Sequence, residues 1–92
     1  MQALSEDDRQ NLMDTIADLN PQALKPDGLE AAIVGYASRE FGGPPVLVVS
    51  VDLCIEILTK DGEMDEIEAR EYLEFNSVGA WMGEGTPLWI YT

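Results

Sequence analysis

Residues 46–58 read Val-Leu-Val-Val-Ser-Val-Asp-Leu-Cys-Ile-Glu-Ile-Leu, and this stretch decides the fold. Its first six residues are mainly β-branched and apolar on both faces, which is typical of a central β-strand. Asp52 is predicted to cap a short helix over residues 53–59. Because that helix is apolar on nearly every side, we expect it to be buried, with Cys54 as a structural core residue.

Upstream of this stretch, the sequence predicts one helix and one strand. Ser5 precedes three acidic residues, and Asn20-Pro21 ends the segment, so a helix is expected over residues 6–19. A connector and a strand over residues 31–38 follow. The break Phe-Gly-Gly-Pro-Pro at residues 41–45 then predicts a hairpin with the central strand. The inward-facing residues of the first helix are predicted to be Leu12, Met13, Ile16 and Leu19.

Downstream, the Asp61-Gly62 turn is expected to close the second helix. Asp65 and Glu68 form a capping pattern for a third helix that runs to about Asn76. Glycines and Pro87 break the chain after it, and residues 88–91 are predicted to add a last strand. The inner face of the third helix is predicted to contain Ala69, Tyr72 and Leu73.

These elements define one small acidic domain over residues 1–92, with an N-terminal helix and connector at 1–28 and an α+β core at 29–92. The predicted fold is a small antiparallel sheet, formed by the hairpin and the C-terminal strand, packed with three helices.

Charge is the main compositional anomaly. Eighteen Asp and Glu residues face five Lys and Arg residues, there is no histidine, and the net charge is −13. Such a surface repels itself and makes a poor direct partner for nucleic acid or an anionic membrane. Basic proteins, and above all those that bind nucleic acid, are the partners that this charge favours.

The sequence contains few of the residue patterns that catalysis or metal binding requires. Without histidine there is no Ser-His-Asp or Cys-His pair, and one cysteine excludes an internal disulfide and a cysteine-based zinc site. Phosphate-binding glycine motifs do not occur. We therefore expect no enzyme activity, no catalytic residue and no cofactor. The early acidic residues are untypical of a signal peptide, so a cytoplasmic protein is expected.

A calcium site is the metal alternative that the acidic residues raise. Asp61, Glu63 and Asp65 alternate as at the start of an EF-hand loop. The sixth and twelfth positions of that loop would need Gly and Glu, and here they are Glu66 and Tyr72. No metal site is predicted.

The third helix carries the candidate binding surface. Glu68, Glu71 and Glu74 follow one another at i, i+3 spacing and form one row. Together with Asp65 and Glu66 they place a charge every ~3 Å along the helix, close to the ~3.4 Å spacing of phosphates in one DNA strand. The row is predicted to enter a basic groove built for nucleic acid. The alternative is a solvated face that contributes only solubility.

The C-terminal stretch adds two further candidates. Trp81 and Glu84 lie in a glycine-rich segment with Met82 and, beyond it, Trp89. Tryptophan is enriched at interface hot spots, but a small domain also needs large side chains in its core, so both interpretations remain open for the two tryptophans. The predicted partner-binding residues are Glu66, Glu68, Glu71, Glu74, Trp81 and Glu84.

Part of the chain resembles a known family. The residues are Cys-Ile-Glu-Ile-Leu at 54–58, the Asp61-Gly62 turn with Met64, Glu-Tyr-Leu-Glu-Phe-Asn at 71–76, Gly-Ala-Trp at 79–81 and Gly-Glu-Gly-Thr-Pro at 83–87. Over roughly residues 31–88 this pattern is similar to a widespread family of small uncharacterised proteins from tailed phages and prophages. The family has no established activity, so the resemblance implies a phage origin and no catalytic residue.

Small acidic phage proteins are often inhibitors of host defence, anti-CRISPR proteins among them. The resemblance and the charge together predict an inhibitor that binds a basic, nucleic-acid-binding surface of a host complex in the host cytoplasm. The alternatives are an immunity or antitoxin-like protein that masks a basic toxin, and an accessory phage protein without an inhibitory role. The oligomeric state remains open.

Overall fold

The computed structural model describes residues 3–26, 28–75 and 83–91, and these residues form a small α+β fold. The elements are, in chain order, α1 (Glu6–Leu19), β1 (Ile33–Ser38), β2 (Pro45–Ser50), α2 (Val51–Thr59), α3 (Glu66–Leu73) and β3 (Leu88–Ile90). A 3-10 turn at Glu30–Ala32 leads into β1, so this strand starts two residues later than predicted. The predicted class, a small sheet packed with three helices, is confirmed.

The sheet is mixed, with the strand order β1-β2-β3. β1 and β2 form the predicted antiparallel hairpin, with Ile33 opposite Val49 and Ser38 opposite Pro45, and β2 is central as expected. β3 pairs parallel to β2, with Val49 opposite Trp89, so the prediction of a purely antiparallel sheet is wrong. The physical reason is the connection: a path through two helices is long enough to return the chain to the starting end of β2, which a hairpin turn is not.

The helices contribute to one core that includes the face of the sheet carrying Ile33, Leu47 and Val49. α1 contributes Met13 and Ile16, and the other helices contribute Val51, Cys54, Ile55, Ala69 and Leu73. Val46 and Ser50, on the other face of β2, are buried as well. The apolar character of this strand on both faces is therefore matched by burial on both faces.

Each helix begins at a polar side chain that accepts a backbone N–H. Ser5 Oγ accepts from Asp8 N at 3.1 Å, and the Asp65 carboxylate accepts from Glu68 N at 2.8 Å, both at predicted caps. α2 differs from the prediction, because Ser50 Oγ, and not Asp52, fills this role by accepting from Leu53 N at 3.3 Å. Ser50 is the last residue of β2 and keeps an extended backbone, so the strand passes into the helix without a loop.

Several inward-facing residues were predicted wrongly. Leu19 is 63% exposed because α1 ends there, and the next residue, Asn20, is buried in its place. Tyr72 is 41% exposed, which leaves Ala69 and Leu73 as the buried pair of α3. α2 is buried on one side only, with Glu56 exposed. α3 ends at Leu73 as a regular helix, and Asn76 lies outside the described residues.

Candidate partner-binding surface

α3 is attached to the core by a narrow stripe. Ala69 and Leu73, one turn apart, are buried, and the remaining residues of the helix are exposed. An α-helix turns by about 100° per residue, which places Glu71 directly opposite this stripe. Glu74 keeps helical backbone angles, so the same geometry extends beyond the last regular residue. The centre of the outward face of α3 is therefore a carboxylate.

Three of the predicted site residues come together on this outward face. Glu68, Glu71 and Glu74 are all exposed, and their i, i+3 spacing makes them neighbours. Glu66 points away from them, closer to the buried stripe, and its Oε1 accepts from Arg70 Nη2 at 3.0 Å. Both members of this pair are exposed, so the ion pair contributes little to stability.

The charge spacing along the outward face is wider than the sequence suggested. The Asp65 carboxylate is engaged as the helix cap and Glu66 is engaged with Arg70. The remaining row runs from Glu68 to Glu74, which corresponds to one charge every ~4.5 Å along the axis. The row is still a dense line of negative charge, but its spacing is no longer that of a DNA strand.

Two apolar residues on the same face were missed by the sequence reasoning. Ile67 is 69% exposed and Phe75 is 84% exposed. They lie one turn before and one turn after Glu71, so they stand between the carboxylates of the row. Their i−4 and i+4 spacing from Glu71 was the signal that could have placed them there. We define the α3 surface as Ile67, Glu68, Glu71, Glu74 and Phe75.

Glu84 belongs to a different feature. It lines a cleft of about 310 Å³ together with Asn20, Gln22, Arg39, Glu40, Gly43, Pro44 and Gly85. The Arg39 guanidinium donates to the Thr86 carbonyl, and Asn20 Nδ2 donates to the Pro45 carbonyl at 3.0 Å. These hydrogen bonds join three chain segments around the cleft. Glu84 therefore lines a separate cleft and does not belong to the row on α3.

Of the two tryptophans, the structure describes only Trp89. Trp81 lies outside the described residues. Trp89 is half-buried in β3 and packs against the core, although its buried Nε1 has no hydrogen-bond partner among the residues that the structure describes. Trp89 is therefore a partly buried residue that packs against the core.

Cys54 and the acidic loop at residues 61–65 are the other candidates for chemistry. Cys54 is fully buried, and this burial raises the pKa of its thiol to about 11. Such a thiol is a poor nucleophile, because the thiolate is the reactive form. Within residues 3–26, 28–75 and 83–91 there is no group of three or more His, Cys, Asp or Glu side chains that could hold a metal ion.

In the same ranges no helix combines the length and the apolar character needed to cross a membrane.

Comparisons with models of protein families, with curated proteins and with solved structures found no match to this chain.

Proposed function

We propose that this protein is an acidic binding protein whose α3 surface occupies a basic, nucleic-acid-binding surface of a partner. The observation that carries the proposal is the position of Glu68, Glu71 and Glu74, which are exposed opposite the buried stripe of α3. Three carboxylates on a convex helix face fit a concave surface lined by Lys and Arg. The role is binding, and no reaction is assigned to the chain.

The overall charge supports the same function. At a net charge of −13, the whole molecule is attracted to a basic surface before contact is made. Such steering raises association rates and depends strongly on ionic strength. A protein that competes with nucleic acid for a binding site gains from this, because its competitor is also steered by charge. In its specific form, the proposal is a phage-type inhibitor of a host defence complex in the host cytoplasm.

The experiment compares three immobilised proteins for retention of proteins from a bacterial lysate. They are the wild type, the triple variant E68Q/E71Q/E74Q and the triple variant D7N/D14N/D18N, which makes the same charge change on α1. We expect the wild type and the α1 variant to retain the same basic proteins, and the α3 variant to lose them. Retention by the wild type should also fall as NaCl rises from 0.1 to 1 M, because the Debye length shrinks from ~10 to ~3 Å.

Two results would contradict the proposal. Equal losses in both triple variants would mean that net charge alone causes retention, so the α3 surface would have no special role. Retention that is the same for all three proteins would mean that the acidic residues form a solvated surface.

A further inference from the structure

The exposed apolar residues of α3 require an explanation beyond charge. Ile67 and Phe75 are mostly solvent-exposed, and each is one helical turn from Glu71. A purely electrostatic surface, whether it mimics phosphates or only aids solubility, needs neither of them. Both lie on the face opposite the buried stripe of Ala69 and Leu73, so they do not serve the core.

Carboxylates and apolar groups alternate around this face. At about 100° per residue, the order across the face is Glu74, Ile67, Glu71, Phe75 and Glu68, over an arc of about 120°. Ile67 and Phe75 are eight residues apart, which corresponds to ~12 Å along the axis. A partner that covers this face must therefore offer apolar recesses between its cationic groups.

Single-stranded nucleic acid combines exposed negative charges with exposed apolar groups, as the α3 surface does, and a duplex does not. In a duplex the flat faces of the bases are stacked inside and only their edges reach the grooves, and half or more of the hydrogen bonds from a bound protein go to phosphate and sugar. A single strand exposes both the charged backbone and the flat, apolar bases. Proteins that bind it combine a basic groove with aromatic or apolar platforms for the bases.

We infer that the partner of the α3 surface is a protein with a single-stranded nucleic-acid-binding site. In that site Glu68, Glu71 and Glu74 take the place of phosphates, and Phe75 and Ile67 take the place of bases. This inference rests on the proposed function and specifies the class of its partner. The ~4.5 Å charge spacing fits it, because a single strand is flexible and does not impose the fixed phosphate spacing of a duplex.

Two other occupants fit the same face less well. An anionic membrane would accept Ile67 and Phe75 but would repel the three carboxylates between them. A second copy of the chain would place the two acidic rows against each other. Charge complementarity therefore favours a basic protein.

The test uses two pools of bacterial proteins, one eluted from single-stranded DNA-cellulose and one from duplex DNA-cellulose. Each pool is passed over the wild type, over the variant I67S/F75S and over F41S, which changes a fully exposed aromatic residue outside α3. We expect the wild type and F41S to retain proteins from the single-strand pool. I67S/F75S should retain at least fivefold less, since hot-spot side chains are worth that much or more. A single-stranded oligonucleotide should release the retained proteins, and a duplex of the same length should not.

The outcomes separate this inference from the proposed function. Retention from both pools that is unaffected by I67S/F75S but lost with E68Q/E71Q/E74Q would overturn the inference and leave the proposed function intact. Retention from neither pool would overturn both. Circular dichroism and the melting temperature of I67S/F75S establish that it folds, which is expected because both residues are exposed.

Discussion

The backbone of Gly85 packs directly against the backbone of Gln22, with no room for a β-carbon between them. Close to this contact, the Leu24 N–H donates to the Gly85 carbonyl at 2.9 Å. The connector after α1 is thereby joined to the segment before β3. This junction closes one side of the cleft that Glu84 lines.

Replacing Gly85 by alanine should destabilise the protein by about 1–3 kcal/mol, because the new methyl group would overlap backbone atoms that cannot rotate away. Urea denaturation gives this difference from the midpoint. Gly35→Ala is the matched control, since the space around Gly35 is open for 4 Å. Its stability should be unchanged or slightly higher, as alanine loses less backbone entropy on folding. Equal stability of the two variants would contradict the close contact.

Asn20 should be a second stabilising residue at the end of α1. It is buried, its Nδ2 donates to the Pro45 carbonyl at 3.0 Å, and its Oδ1 accepts from Gln22 N at 3.1 Å. Asn20→Ala leaves both backbone groups without these partners, so we expect a loss of about 1–3 kcal/mol in the free energy of unfolding. Asn11→Ala, on the exposed face of α1, should cause no loss. Equal denaturation midpoints for the two variants would mean that water replaces the Asn20 side chain.

The elements of this fold follow from local patterns, and the sequence predicts them well. The bounds of α1, the hairpin, the central position of β2 and the Asp65 cap depend on residues within a few positions of one another. The direction of β3 does not, because three residues at Leu88–Ile90 pair equally well in either direction and the preceding connection decides. The sequence does not identify Ser50 as a cap, because Ser50 lies within the apolar strand pattern and the start of α2 is therefore predicted after Asp52.

The candidate surface was predictable in its charges and not in its apolar residues. Glu68, Glu71 and Glu74 are visible as a row from their spacing alone. The exposure of Ile67 and Phe75 depends on how α3 is rotated against the core, and Ala69 with Leu73 determines that rotation. The predicted inner face also included Tyr72, so the expected rotation of the helix against the core differed from the observed one. Glu84 was grouped with the row only by shared charge, and tertiary packing places it at the cleft.

Cys54 should make the stability of the protein fall at high pH. Burial raises the pKa of its thiol to about 11 from an ordinary value of 9.0. The unfolded chain therefore loses this proton at a lower pH than the folded protein. The contribution to stability is complete below pH 9 and is lost as the pH rises towards 11.

The urea midpoint measured between pH 8 and 11 tests this dependence. Cys54→Ala should be less stable than the wild type at pH 8, because it leaves a small cavity, but its stability should fall less steeply above pH 9. Parallel curves for the two proteins would mean that the thiol is not buried. The wild-type thiol should also resist thiol reagents at pH 8 unless denaturant is present.

The acidic row should reduce the stability of the isolated protein. Glu68–Glu71 and Glu71–Glu74 are like-charge neighbours, each costing about 0.2–0.5 kcal/mol on a helix surface. The helix dipole favours Glu68 near the N-terminus and disfavours Glu74 near the C-terminus, so these two effects largely cancel. The variant E68Q/E71Q/E74Q should therefore gain up to about 1 kcal/mol at low ionic strength, with helix propensity nearly constant. In 1 M NaCl the gain should disappear, because the Debye length is then only ~3 Å.

The variant D7N/D14N/D18N is the control for this gain. Asp7 lies in the first turn of α1, where the dipole favours it, and Asp14 accepts from Gln10 Nε2 at 3.0 Å. Asp14 and Asp18 are also an i, i+4 like-charge pair, so relief of their repulsion offsets the lost dipole interaction of Asp7. Removing the three charges should therefore leave stability nearly unchanged, although the net charge changes by the same amount. If both variants gained equally, general self-repulsion would explain the effect and the row would have no local cost. A gain confined to α3, together with lost partner retention, would mean that the row weakens folding and is needed for binding.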